Sequence, residues 1–121
     1  ALLFTPFIGD IHFDHRLFFE SALVACRPNG AKIPRKILAY ETLSETNWNA
    51  PGLSPAFAPN VYYDISEYLG KKIEALEIFA SQMQAFPNER SIEAVKALAT
   101  LRGATVNCRA AEAFVLIREI L

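Results

Sequence analysis

Both histidines of this chain lie in one short segment, "GDIHFDH" at residues 9–15, on either side of an aspartate. His12, Asp14 and His15 together offer two imidazoles and a carboxylate, the side chains of metal binding and of acid–base catalysis. Two histidines with one carboxylate leave coordination positions open for water and substrate. A carboxylate beside a histidine also fixes which ring nitrogen carries the proton. The segment is therefore a candidate site.

The same residues have a purely structural interpretation. A His–Asp pair at the start of a helix can cap the helix and pair with its neighbours, and short motifs often match by chance. A catalytic zinc needs three protein ligands, and this segment supplies only one or two good candidates. Residue types and spacing alone leave both interpretations open, and they do not decide which histidine would bind a metal.

The spacing of apolar residues predicts strands and helices in alternation around this segment. The predicted elements are strands over 2–6, 35–42 and 60–66, helices over 14–27, 66–84 and 91–103, and a long loop over 43–58. The tail after residue 109 has a helix-forming composition, but its "FVLI" core equally suits a strand. Alternating strands and helices predict an α/β domain with a largely parallel sheet, where ligands bind at the carboxyl ends of strands. Residues 9–15 follow the first strand.

Composition bounds the class of protein. The chain has 121 residues, 52% hydrophobic and 21% charged, which predicts one globular domain with a packed core. A net charge of −1 gives no electrostatic case for a nucleic-acid partner. No apolar run is long enough to span a bilayer and no leader is seen, so we expect a cytoplasmic protein without a transmembrane segment. The chain opens inside an apolar run, and we expect it to be the C-terminal part of something longer.

Five segments in order carry a resemblance to a known family: "GDIHFDH", "PRKILAYET", "FAPNVYYDIS", "RSIEAVKALATLRG" and "AEAF". Together they resemble the C-terminal half of the PIG-L/LmbE-like N-acetylglucosamine deacetylases, from the first strand to the tail. The resemblance implies a Rossmann-like three-layer sandwich with a mainly parallel sheet, of which residues 1–121 form the C-terminal portion as a single domain. It also implies a strand, not a helix, for "AEAF".

The resemblance implies a zinc-dependent amidase that removes the acetyl group from an N-acetylated amino sugar. His15 would be a zinc ligand, and His12 would stabilise the oxyanion or act as an acid, with Asp14 orienting it. Arg35 resembles a basic residue that approaches Asp14. The family's "HPDD" motif, which holds the other two ligands and the general base, is absent here, so we expect those ligands upstream in a missing N-terminal half. Phe13 stands where the family usually has proline.

The loop over 43–58 is the expected place for sugar recognition. Trp48 in this loop can stack on a sugar face, although packing back on the core is an equal alternative. Glu41, at the end of its strand, is a candidate polar neighbour of the pocket, with a solvated or paired surface acid as the alternative. A second function from another class stays open: a non-catalytic carbohydrate-binding or assembly module that keeps the fold without a complete metal site. Association into a homo-oligomer stays open as well.

Overall fold

The computed structural model describes residues 1–30 and 32–121. The elements in chain order are β1 Leu2–Pro6, α1 Phe13–Ala25, β2 Lys36–Tyr40, β3 Val61–Asp64, α2 Leu69–Ile78, a short 3₁₀ helix Ala80–Gln82, α3 Ile92–Thr105 and β4 Ala111–Glu119. Strands and helices alternate along most of the chain, which confirms the predicted α/β class. The loop over 43–58 holds turns but neither helix nor strand, as predicted.

The strands of the described residues form one mixed sheet in the order β1-β2-β4-β3. β1 and β2 run parallel, from Leu2 opposite Lys36 to Pro6 opposite Tyr40. β2 and β4 run antiparallel. The mainly parallel sheet expected from the resemblance is therefore not confirmed within these residues. The parallel register has one direct consequence, because it puts the carboxyl ends of β1 and β2 side by side.

The C-terminal tail forms a strand, as the resemblance implied. The part of β4 from Phe114 to Glu119 pairs with β2, and Ala111, Ala113 and Phe114 are buried. The Phe4 and Phe114 ring centroids lie 5.2 Å apart, within the range of favourable aromatic pairs. Pairing and packing of this kind outweigh the helix propensity of alanine, glutamate and leucine, since propensity is a weak preference that tertiary contacts override.

The chain divides into two compact units, residues 1–61 with 114–121 and residues 62–113. The core of the first unit is built from Phe7, Phe19 and Ala39, against which five further apolar side chains pack: Ile8, Leu23, Phe57, Val115 and Ile117. The assignment of residues 1–121 to a single domain stays a prediction. Among the helices of the described residues, none has the length and apolar content that crossing a membrane requires.

The start of α2 differs from the prediction. The sequence predicts Asp64 or Ser66 as the cap of this helix, but the residue before its first turn is Tyr68, which makes no side-chain cap. Asp64 instead accepts hydrogen bonds from the Ser66 N–H and hydroxyl. These bonds hold the pKa of the Asp64 carboxyl below its usual value. The helix also ends earlier than predicted, at Ile78 rather than near residue 84.

α3 begins where the sequence predicts and ends beyond it. The Ser91 hydroxyl accepts from the Ala94 N–H and caps the first turn. The sequence predicts an end at Gly103, yet the helix continues to Thr105. A β-carbon at Gly103 would lie 2.6 Å from the Cys108 carbonyl oxygen and 2.7 Å from the Ala110 nitrogen. Glycine is required here because the returning backbone passes against the helix, not because the helix stops.

Replacing Gly103 by alanine should lower the free energy of unfolding by about 3 kcal/mol, because the new methyl group meets backbone atoms that cannot move aside. Gly70→Ala in α2 is the matched control, since a β-carbon there meets nothing within 4 Å. We expect it to raise the free energy of unfolding by about 0.5 kcal/mol through helix propensity. Urea denaturation of both variants measures the two effects, and equal stabilities would contradict the packing argument.

Candidate functional site

The turn after β1 directs Asp10 inward. The Asp10 N–H donates to the Phe7 carbonyl over 3.2 Å, which closes the turn. A β-carbon at Gly9 would lie 2.4 Å from the Pro55 carbonyl oxygen and 2.7 Å from Cε1 of Phe7. Only glycine permits this close approach of the 43–58 loop to the turn. The following residue, Asp10, is consequently enclosed and only 1% exposed.

Asp10 is the centre of the hydrogen-bonding network at this turn. Its Oδ2 lies 2.7 Å from Nδ1 of His15, and its Oδ1 accepts from the Thr46 hydroxyl over 2.6 Å. A buried carboxyl group is tolerated only when it is hydrogen-bonded, and here both oxygens have partners. Asp10 is not among the site residues that the sequence predicts, although it lies in the same 9–15 segment as the two histidines. The available signal was a Gly-Asp pair at the end of a strand, five residues before a histidine.

His12 is the N-cap of α1. Its backbone is extended, with φ −69° and ψ 123°, and its Nδ1 accepts from the Asp14 N–H over 3.1 Å. The sequence indicates Asp14 as the capping residue. Asp14 lies instead in the first turn itself, where its negative charge interacts favourably with the helix dipole. Its side chain is 81% exposed. The nearer Asp14 carboxylate oxygen is 3.9 Å from His12 Nδ1, too far for a hydrogen bond.

The two imidazoles lie side by side, and each makes its hydrogen bond to the protein through Nδ1. Their centroids are 5.3 Å apart and the rings are stacked, inclined by 30°. A neutral imidazole has one donor and one acceptor nitrogen, and the partner of one nitrogen sets the other. His15 Nδ1 faces a carboxylate and therefore carries the proton, which leaves Nε2 as a lone pair. His12 Nδ1 accepts an N–H, so its Nε2 carries the proton.

The start of the 43–58 loop is docked onto the same network. The Thr42 N–H donates to the Thr46 hydroxyl oxygen over 2.8 Å, and the Thr46 N–H donates to the Thr42 carbonyl over 2.9 Å. The Ile11 N–H donates to the Glu45 carbonyl over 3.3 Å. Ser44, Glu45 and Thr46 are buried. The first turn of the loop is therefore an ordered part of the site.

Tyr40 adds a phenol at the same edge of the sheet. It ends β2, opposite Pro6 at the end of β1. Burial, and next the charge of Asp10, raise the pKa of Tyr40 above its usual value. The phenol therefore keeps its proton to a higher pH than an ordinary tyrosine does.

Trp48 and Glu41 lie in the same unit as the histidines. Trp48 is 56% exposed, so its ring is not packed away in the core. Glu41 directly follows Tyr40 and is half-buried. Their roles in sugar binding stay predictions.

The structure does not bring Arg35 to Asp14. Its guanidinium donates to the carbonyls of Ile120 and Leu121, and its N–H donates to the Ala1 carbonyl. Arg35 precedes β2, whereas the histidines follow β1, and the two strands are parallel. A strand of five residues spans about 15 Å at 3.3 Å per residue, so the two groups lie at opposite ends of the sheet.

The potential metal-binding side chains in the described part of the chain are two histidines, two cysteines and 13 aspartates and glutamates. No group of three or more His, Cys, Asp or Glu side chains placed to hold a metal ion occurs there. Cys26 and Cys108 are free thiols. Partial burial and the neighbouring Asp64 charge raise the pKa of the Cys108 thiol, so it stays protonated. His15 as a zinc ligand stays a prediction.

Replacing Asp10 by alanine should lower the free energy of unfolding by about 3 kcal/mol, because His15 and Thr46 each lose a partner in a buried place. Asp14→Ala is the matched control, and we expect it to cost less than about 1 kcal/mol because Asp14 is exposed. Urea denaturation compares the two. Similar losses for both variants would show that Asp10 does not organise this turn.

Tyr40 should titrate above the ordinary tyrosine pKa of 10.0. The difference between the ultraviolet titrations of the wild type and Tyr40→Phe isolates its curve. Asp10→Asn should lower the pKa of Tyr40 without returning it to the ordinary value, since burial is the larger cause. Because the pKa of Tyr40 is raised in the folded state, the protonated phenol contributes to the free energy of unfolding. This contribution is complete below pH 10 and is lost as pH rises through the folded pKa. Titration of Tyr40 at the ordinary pKa would contradict this.

No protein-family model matches the chain, and no curated protein matches it. Among solved structures it is similar to the crystal structure of the conserved protein TT1542 from Thermus thermophilus, with a TM-score of 0.70 and 22% sequence identity. The match covers 99% of this chain and 53% of that one. The chain thus spans about half the length of TT1542, and the likeness concerns the fold alone.

Proposed function

We propose that the chain is the C-terminal portion of a zinc-dependent hydrolase that removes the N-acetyl group from an N-acetylglucosamine-type sugar conjugate. The observation that supports this best is the opposite use of two neighbouring imidazoles. Nδ1 of His15 donates a hydrogen bond to Asp10, whereas Nδ1 of His12 accepts one from the Asp14 backbone N–H. One ring therefore presents a lone pair and the other an N–H donor, which amide hydrolysis at a metal requires.

His15 fits the role of a zinc ligand. Histidines that bind metals usually donate their other ring N–H to a carboxylate, which fixes the tautomer and raises the basicity of the binding nitrogen. Asp10 supplies that carboxylate at 2.7 Å and is enclosed by protein. We place the remaining ligands and the general base outside residues 1–121, in the "HPDD" motif that the resemblance implies. For the complete domain we propose the Rossmann-like, mainly parallel sandwich.

The residues of this chain would then divide the work at the acetyl group. A bound zinc ion would polarise the carbonyl and lower the pKa of a water molecule. His12 Nε2–H would donate to the oxygen on which negative charge develops, where a preoriented donor is most effective. The Asp14 N–H keeps that proton on Nε2, and the Asp14 carboxylate lies 3.9 Å from Nδ1 of the ring. Arg35 is given no role, because it lies at the other end of the sheet.

Sugar recognition is proposed for the 43–58 loop. Its first turn is hydrogen-bonded to the histidine segment, and Trp48 follows two residues after Thr46 with an exposed ring. Indole rings stack well on the apolar faces of sugars. Glu41 would contribute a polar contact. The substrate would be an N-acetylated amino sugar in the cytoplasm, with association into a homo-oligomer left open.

A carbohydrate-binding module without catalysis is the second candidate, and the exposure of Trp48 is the observation that favours it. Such a module needs the aromatic ring but no metal. Titration with an N-acetylglucosamine conjugate, followed by the fluorescence of the single tryptophan, separates the two candidates. Binding with no release of acetate, and no zinc in the protein, would favour the module.

Variants of the two histidines test the enzyme in the protein as its gene encodes it. His15→Ala should remove bound zinc and deacetylation together. His12→Asn keeps a capping side chain, so we expect it to retain zinc while kcat falls by about 10²–10³ through the lost donor. Zinc is measured by elemental analysis and activity by acetate release. Unchanged zinc in His15→Ala would overturn the ligand assignment.

A further inference from the structure

A continuous line of hydrogen bonds connects the 43–58 loop to His15. The Thr42 N–H donates to Thr46 Oγ1, and the Thr46 hydroxyl donates to Asp10 Oδ1 over 2.6 Å. Asp10 Oδ2 then meets His15 Nδ1 at 2.7 Å. The groups are buried or half-buried, so water does not readily replace a missing partner. The loop and the histidine are thus joined through one carboxylate.

The hydrogen bond from Thr46 sets the orientation of the Asp10 carboxylate. The terminal torsion of an aspartate side chain is broad, so covalent geometry alone does not hold Oδ2 against the histidine. The hydrogen bond from Thr46 fixes Oδ1 and therefore the plane of the carboxylate. The Thr46 oxygen already accepts from Thr42, which leaves its own proton for Asp10.

We propose that Thr46 is a positioning residue that acts through Asp10 to hold His15 in the tautomer with its proton on Nδ1, and so couples the 42–46 turn to the nitrogen left free on His15. The coupling is reciprocal, because two groups linked to one element affect each other equally. A ligand that shifts the 42–46 turn changes the tautomer of His15 and hence the availability of its free nitrogen. A group bound to that nitrogen in turn changes the stability of the 42–46 turn. The inference rests on the proposed function only in giving that nitrogen a metal to bind.

The coupling gives the loop a part in the proposed chemistry. Trp48 lies two residues beyond Thr46, so a sugar on its ring is attached to the turn that orients Asp10. Substrate binding at the loop and the tautomer of His15 would change together. Outer partners of metal ligands commonly alter metal affinity by about 10- to 100-fold, so the effect is large enough to matter.

The forward test reads the tautomer of His15 directly. Long-range ¹H–¹⁵N spectra of the ¹⁵N-labelled chain at pH about 8 show both ring nitrogens of its two histidines, and His12→Asn assigns the signals. We expect His15 to carry its proton on Nδ1 in the wild type. Thr46→Val should give a mixture of tautomers, and Thr46→Ser, which keeps the hydroxyl, should restore the single form. Thr105→Val, whose hydroxyl donates within α3, is the control and should change nothing.

The reverse test follows hydrogen exchange of the Thr42 amide. His15→Ala removes the donor to Asp10 and should speed this exchange by about ten-fold, the worth of one hydrogen bond. His15→Asn places an amide N–H near the position of Nδ1 and should exchange like the wild type. If Thr46→Val does not fold, this comparison decides the question.

Either of two results would overturn the proposal: a single Nδ1–H tautomer that persists in Thr46→Val, or a Thr46→Ser variant that behaves like the valine variant. Neither measurement needs metal, substrate or activity. If the chain shows the coupling but the protein as its gene encodes it releases no acetate, the deacetylase is refuted and this inference stands.

Discussion

A carboxylate without access to solvent must have a partner for each oxygen, and Asp10 meets that condition through two parts of the chain that are distant in sequence. His15 comes from the first turn of α1, and Thr46 comes from the loop after β2. The end of β1, the start of α1 and the start of the loop are therefore held at one point. His15 and Tyr40 both depend on this arrangement, because Asp10 sets the proton on His15 and its charge contributes to the raised pKa of Tyr40.

The structural and chemical interpretations of the histidine pair are not exclusive. His12 caps α1, as the structural interpretation holds, and the bond that makes the cap is the one that leaves the proton on Nε2. The Nδ1 atom of His12 accepts from a backbone N–H at this cap, so the ring is held as a donor on its far side. The capping position therefore prepares the ring for contact with a developing negative charge. Asp14 has a smaller role: its backbone N–H donates to His12, and its charge lies in the first turn of α1.

Local patterns predicted the α/β class, the helices and the long loop, because apolar spacing and capping residues act within a few positions. They could not predict what depends on distant contacts. The strand at β4 required pairing with β2, and Gly103 required the return of the chain past α3. The burial of Asp10 could not be predicted locally, because one of its two hydrogen-bond partners, Thr46, is 36 residues away in the sequence. Arg35 was placed with Asp14 by resemblance, and only the parallel register of β1 and β2 shows that the two lie at opposite ends.

The charges at this site also bear on what a partner would have to supply. The negative charge of Asp10 lies behind His15 rather than in its open position, because Asp10 contacts Nδ1. A divalent cation on His15 would therefore meet one negative charge, through the imidazole. Stable binding of a metal in a partly buried place requires further charge compensation. An acidic ligand from outside residues 1–121, as the resemblance implies, would complete both the coordination and the charge. A metal bound to His15 would thus need both further ligands and further negative charge, and one added carboxylate would supply some of each.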